Sequence, residues 1–95
     1  MNIFEKLNHS TAIAFTYILK SEKDSGIYIG STKDLSDRYF NQHQKGKVKS
    51  TKSRRPLILI YFEEFEDYKS AYRREKYLKT GAGRDWIKEN ALKNI

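Results

Sequence analysis

Ala12–Ser31 reads AIAFTYILKSEKDSGIYIGS, two β-branched and aromatic runs separated by polar residues. Ala12–Lys20 and Gly26–Gly30 have the composition of short strands, and SEKDS between them is turn material, so the stretch predicts an antiparallel hairpin. If the turn centres near Glu22 and Lys23, Tyr17 and Tyr28 stand opposite each other. Because strand side chains alternate with period two, both phenols then occupy one face of the sheet.

Working outward, STKDLSDRYFNQHQKG (Ser31–Gly46) offers Ser31 and Thr32 as caps, Asp34 in the first turn and a closing glycine, which predicts a helix of about three turns. KVKSTKSRRP (Lys47–Pro56) has no periodicity and reads as a basic loop. LILIYFEEF (Leu57–Phe65) is a continuous apolar run ending in acids, the pattern of a central, best-buried strand. Asp67 can cap a second helix, YKSAYRREKYLKT, stopped by Gly81, and GRDWIKENALKNI supplies a last helix held by Trp86, Ile87 and Leu92. The expected fold class is α+β, an α/β sandwich. It has a small three-stranded antiparallel sheet, hairpin plus central strand, flanked by three or more helices. A single domain over 1–95 is expected, with its core at about 12–90 and residues 1–11 as an N-terminal extension.

The chain has a formal charge of +7 and no cysteine, which removes disulfides and thiolate metal ligands from consideration. No apolar run suits a signal peptide or a membrane span, so a soluble, cytoplasmic protein is expected. The charge is localised. No carboxylate lies between Asp37 and Glu63, while Arg38, Lys45, Lys47, Lys49, Lys52, Arg54 and Arg55 supply seven positive charges; the rest of the chain is balanced. Such a segment is either a solvated loop or a surface for the phosphates of a nucleic acid, and counterion release favours the second.

Two polar residues fall where packing prefers apolar ones. On the second predicted helix Tyr68, Ala71, Tyr72, Glu75 and Leu78 share a face, which turns the Glu75 carboxylate inward. It either pairs with Arg73 or Arg74 or binds a hard divalent cation such as Mg²⁺. On the first, Leu35, Arg38, Tyr39 and Gln42 form a stripe, and Arg38 either snorkels at its edge or meets a phosphate with its planar fork of donors. Convergence of two tyrosines, an arginine and a metal-binding glutamate makes an assembly for phosphodiester hydrolysis. The metal neutralises charge, the arginine stabilises the transition state, and a phenol orients or deprotonates water if neighbouring positive charge lowers its pKa.

TYILKS, YIGSTKDLSDR, STKSRRPLILIYFEEF and AYRREKYLKTGAGRDWIK, in this order and spacing, resemble the GIY-YIG nuclease superfamily, most closely its small free-standing bacterial members. The resemblance implies a metal-dependent DNA endonuclease using one Mg²⁺ or Mn²⁺. Its catalytic residues would be Tyr17, Tyr28 and Arg38, with Glu75 as metal ligand, and Lys45, Lys47, Lys49, Lys52, Arg54 and Arg55 would contact nucleic acid. Many relatives place a histidine or tyrosine four residues after the arginine; here Gln42 stands there and His43 follows. Either a helical bulge absorbs the extra residue and His43 joins the site, or His43 lies on the surface. A non-catalytic DNA- or RNA-binding module is the alternative function. A monomer is expected, with DNA as partner and specificity from DNA shape or from a targeting protein.

Overall fold

The computed structural model describes residues 1–92 and contains a three-stranded antiparallel sheet in the order β2-β1-β3. The strands are β1 (Ala14–Ser21), β2 (Ile27–Thr32) and β3 (Leu57–Phe65). The central strand is therefore β1 and not the LILIYFEEF run. Every residue of β1 except Lys20 is buried, whereas β3 lies at an edge with Ile58 41% exposed. The apolar run of β3 reflects cover from helices on its two faces, which hydropathy alone cannot distinguish from a strand hydrogen-bonded on both sides.

The hairpin forms as expected, with a different register. Lys20 pairs with Ile27, so Tyr17 faces Gly30 and Leu19 faces Tyr28. The turn is centred one residue later than Glu22–Lys23 because Ser21 organises it. The Ser21 hydroxyl accepts from the Lys23 and Asp24 amides and donates to the Arg54 carbonyl. Moving the turn centre by one residue shifts partners by two, an even number, so the two tyrosines keep a common face and become diagonal neighbours.

Residues 1–11 include α1 (Ile3–Asn8), capped by the Asn2 side chain and burying Leu7. The segment after β2 departs from the expected helix at both ends. Ser31 and Thr32 belong to β2, and the cap is Asp34, whose carboxylate accepts from the Asp37 amide. Asp37–His43 is then a π-helix, with the Gln44 amide bonded to the Tyr39 carbonyl five residues back. A short 3₁₀ turn, Lys52–Arg54, interrupts the basic loop.

On the other side of the sheet lie α2 (Tyr68–Leu78), capped by Asp67, and α3 (Gly81–Asn90), capped by Thr80. Gly81 thus opens α3 rather than closing α2. The last three residues of the expected final helix lie outside the described residues. The sheet separates two cores. Tyr17, Leu19, Leu35, Tyr39, Leu57 and Leu59 pack on the α1 and π-helix side, and Ile18, Ile29, Leu78 and Ile87 pack beneath α2 and α3. Among the described residues no helix is long and apolar enough to cross a membrane.

Candidate active site

Tyr17 occupies the middle of the central strand and is 0% exposed, which makes its phenol costly unless it is hydrogen-bonded. The π-helix supplies both partners. His43 Nε2 lies 2.8 Å from Tyr17 Oη, and Arg38 Nε–H donates to the same oxygen at 3.3 Å. Arg38 and His43 are five residues apart, a separation that an α-helix turns away from one face and an i→i+5 helix keeps together. The bulge alternative therefore holds, and His43 is 0% exposed rather than on the surface. Tyr28, half-buried, completes the cluster with its ring centroid 6.2 Å from that of Tyr17 and 4.9 Å from the His43 imidazole.

The imidazole's other nitrogen defines its tautomer. His43 Nδ1 is 2.9 Å from the hydroxyl of Thr51, and that hydroxyl points its own hydrogen at the Val48 carbonyl, 3.5 Å away. Thr51 thus accepts from Nδ1–H, which leaves Nε2 free to accept from Tyr17 O–H. Burial, and then the charge of Arg38, hold the His43 pKa down to about 4. Burial also pushes the Tyr17 phenol well above its ordinary value and outweighs the hydrogen bond from Arg38. Arg38 therefore does not produce the acidified phenol that the sequence suggested.

Thr51 lies in an aperiodic loop, so no sequence pattern marks it. Thr51→Val is expected to leave Nδ1–H buried without an acceptor and to cost about 1–3 kcal/mol in urea unfolding. Thr51→Ser, which restores the hydroxyl, is expected to recover most of that loss. A second prediction concerns pH. An unfolded histidine takes up its proton near pH 6.5 and native His43 only near 4, so between these values the unfolded chain binds more protons. His43 thus contributes stability that is complete above about pH 6.5 and is lost as pH falls toward 4. Urea midpoints at pH 7 and pH 4.5 are expected to show the wild type losing about 2–3 kcal/mol more than His43→Gln over that interval.

Glu75 approaches the same strand from the opposite side. Ser31 is on the face of β2 away from Tyr28, and its hydroxyl donates to Glu75 Oε1 at 2.5 Å. Lys79 Nζ lies 2.7 Å from Oε2, and the Glu75 side chain is 14% exposed. Neither Arg73 nor Arg74 pairs with it. Arg74 instead makes a forked contact with Glu63 and lies over the rings of Tyr77 and Trp86. The structure thus joins Tyr17, Tyr28, Arg38 and His43 directly, with Glu75 reaching the shared edge strand from α2.

A family model described as the GIY-YIG catalytic domain matches residues 13–90. The chain belongs to the GIY-YIG family. Similar relatives include a UPF0213 protein of Staphylococcus haemolyticus, 42% identical over 67 residues that cover 70% of this chain and 79% of the relative. A UPF0213 protein of Clostridium perfringens is 40% identical over 65 residues, 68% of this chain and 69% of its own length. One from Staphylococcus aureus is 40% identical over 67 residues, 70% and 79% of the two chains. No solved structure matches the chain. Membership places this GIY-YIG domain among nucleases that bind nucleic acid and generally use divalent metal ions.

Among the described residues no group of three or more histidine, cysteine or acidic side chains gathers in one place. Glu75 presents a single carboxylate beside the Ser31 hydroxyl. Those donors fit Mg²⁺ or Mn²⁺ held largely through waters and substrate oxygens, with Lys79 displaced from Oε2.

Gly30, the last residue of YIG, has a close-packing role. It pairs with Tyr17 across the strands, and a Cβ there would lie 2.6 Å from Tyr17 Cζ and Oη. The missing side chain is the space the phenol occupies. In the basic loop Lys45, Lys47, Lys49 and Lys52 are exposed, whereas Arg54 is paired with Asp24 at 3.2 Å. Arg55 donates to the Lys52 and Gln44 carbonyls. Lys23, Lys52 and Arg55 line an open groove of about 540 Å³ beside the loop. Lys23 is a cation that sequence reading left in the hairpin turn.

Proposed function

We propose that the chain is a divalent-metal-dependent endonuclease that hydrolyses DNA phosphodiester bonds. The observation carrying this reading is the buried Tyr17 hydroxyl held between His43 Nε2 and Arg38 Nε. The half-buried Tyr28, the more accessible of the two phenols, orients the attacking water beside Tyr17. The water's proton leaves through the Tyr17 hydroxyl, which passes its own proton to His43 Nε2 while Nδ1–H stays on Thr51. Burial is the larger cause of the low His43 pKa and the Arg38 charge the smaller; a phosphate drawn to Arg38 offsets the smaller one, so substrate binding moves the basicity of the proton acceptor upward. Glu75, with Ser31, would hold the divalent cation, which when bound neutralises charge on the phosphate oxygens. The exposed lysines of the loop and the Lys23–Lys52–Arg55 groove contact backbone phosphates without reading sequence.

Incubation of the purified chain with supercoiled plasmid, branched and single-stranded DNA plus Mg²⁺ or Mn²⁺ tests the reading. Nicking is expected, and Glu75→Ala is expected to reduce it by about 10²-fold or more. Salt-sensitive binding with no nicking would instead identify a non-catalytic binding module.

A further inference from the structure

Tyr68 and Tyr72, expected on the packing face of α2, instead stand open at the flank beside Glu75 and form an aromatic pair that the site above does not use. Tyr68 and Tyr72, one turn apart, remain 39% and 42% exposed, while Ala71 and Leu78 make the buried contacts of the helix. Their rings lie 22° from parallel with centroids 6.2 Å apart. Lys76 extends the row, its ammonium 5.3 Å from the Tyr72 ring, and Lys69 and Arg73 flank it in solvent. Within α2 the one acid is Glu75, which Ser31 and Lys79 hold; the cap Asp67 lies near Lys69 and Arg73, and Lys76 has no other acid in the helix beside it. The row also begins at the site, since Tyr68 Oη is 3.3 Å from the Ser31 hydroxyl that contacts Glu75.

We propose that Tyr68 and Tyr72 form a stacking platform for unpaired bases. The preferred substrate would then be DNA with a single-stranded segment beside the scissile phosphate. This rests on the nuclease reading above and names its substrate class. Every base presents a π-face, so exposed aromatic rings bind single strands with little regard to sequence, while neighbouring cations neutralise the backbone. In a duplex those faces are covered by adjacent base pairs, and the rings have nothing to stack on. Lys76 is an exposed side chain over Tyr72 and can exchange the ring for a phosphate.

The test is binding of a fluorescently labelled 20-nucleotide DNA, single-stranded or annealed to its complement, at one salt concentration with a chelator present to prevent cleavage. Tyr72→Ala is expected to weaken single-strand binding by about 5- to 100-fold, and Tyr72→Phe, which keeps the ring, by no more than about threefold. Loss on the duplex is expected to stay below about twofold. Equal losses on the two, or a Tyr72→Phe variant as weak as Tyr72→Ala, would overturn the platform. So would an RNA strand of the same sequence binding more than tenfold tighter than the DNA. Plasmid nicking with Mn²⁺ separates the two readings. A wild type that nicks while Tyr72→Ala binds strands normally loses the platform alone, and one that needs Tyr72 for strands but never nicks loses the nuclease reading alone.

Discussion

Replacing Tyr17 by phenylalanine is expected to lower plasmid nicking by about 10²–10⁴-fold, the range over which a positioned proton-transfer group acts. The ring would remain, and with it the contact against Gly30 and the packing against Tyr28 and His43. Lost would be the single oxygen through which Arg38 and His43 meet. Because His43 Nε2 would keep no protein partner, stability is expected to fall by about 1–3 kcal/mol, within what a domain of this size tolerates. Circular dichroism and urea titration check the fold, and nicking rates check the chemistry. Tyr28→Phe is the necessary comparison, since its hydroxyl is the one nearer solvent. A Tyr17→Phe protein that nicks at the wild-type rate would show that the proton does not pass through Tyr17.

A change in stability is also expected at Gly83, where sequence reading began the last helix. A Cβ on Gly83 would clash with the Tyr77 carbonyl oxygen and lie 2.5 Å from Leu78 Cα, both backbone atoms of α2 that no rotamer change can move. The chain ends of α2 and α3 approach this closely because Gly83 is buried under them, beside the core residues Leu78 and Ile87. Gly83→Ala gains about 1 kcal/mol of helix propensity, yet opening the joint is expected to cost about 2–3 kcal/mol or more, giving net destabilisation. Gly81, two residues earlier, has nothing within 4 Å of its Cβ position, so Gly81→Ala is expected to be neutral or slightly stabilising. A thermal scan is expected to show Gly83→Ala melting roughly 5–15 °C below Gly81→Ala. Equal melting points would show that the α2–α3 joint yields more readily than its geometry indicates.

Comparison of these residues with the sequence shows where linear patterns carry information. Alternation placed Tyr17 and Tyr28 on one sheet face even though the turn was misplaced, because an even register shift preserves faces. Helical periodicity found Arg38 and Glu75 as polar residues on packing faces, and the localised charge found the exposed loop lysines. Strand order was less legible. The apolar Leu57–Phe65 run suggested the central position, which is decided by hydrogen-bonding partners that come from distant parts of the chain. Thr51 and Gly83 act through contacts with residues whose proximity exists only after folding, and Thr51 carries no local signal of its role. The ion-pair alternative for Glu75 named Arg73 or Arg74, whereas the structure puts Lys79 there. Arg74 adjoins Glu75 in sequence, but Glu63 on β3 holds it.

The π-helix also bears on how this chain tolerates changes in length. An additional residue in an ordinary helix rotates everything after it by about 100°. Here the i→i+5 turn confines that rotation to Asp37–His43. Downstream, Thr51 still meets the imidazole and β3 still pairs with β1, with no compensating deletion required. The spacing between Arg38 and His43 is therefore less constrained than the positions of the two side chains. Sequence searches that demand a fixed interval between the arginine and its helper would overlook domains that keep the same three-dimensional arrangement.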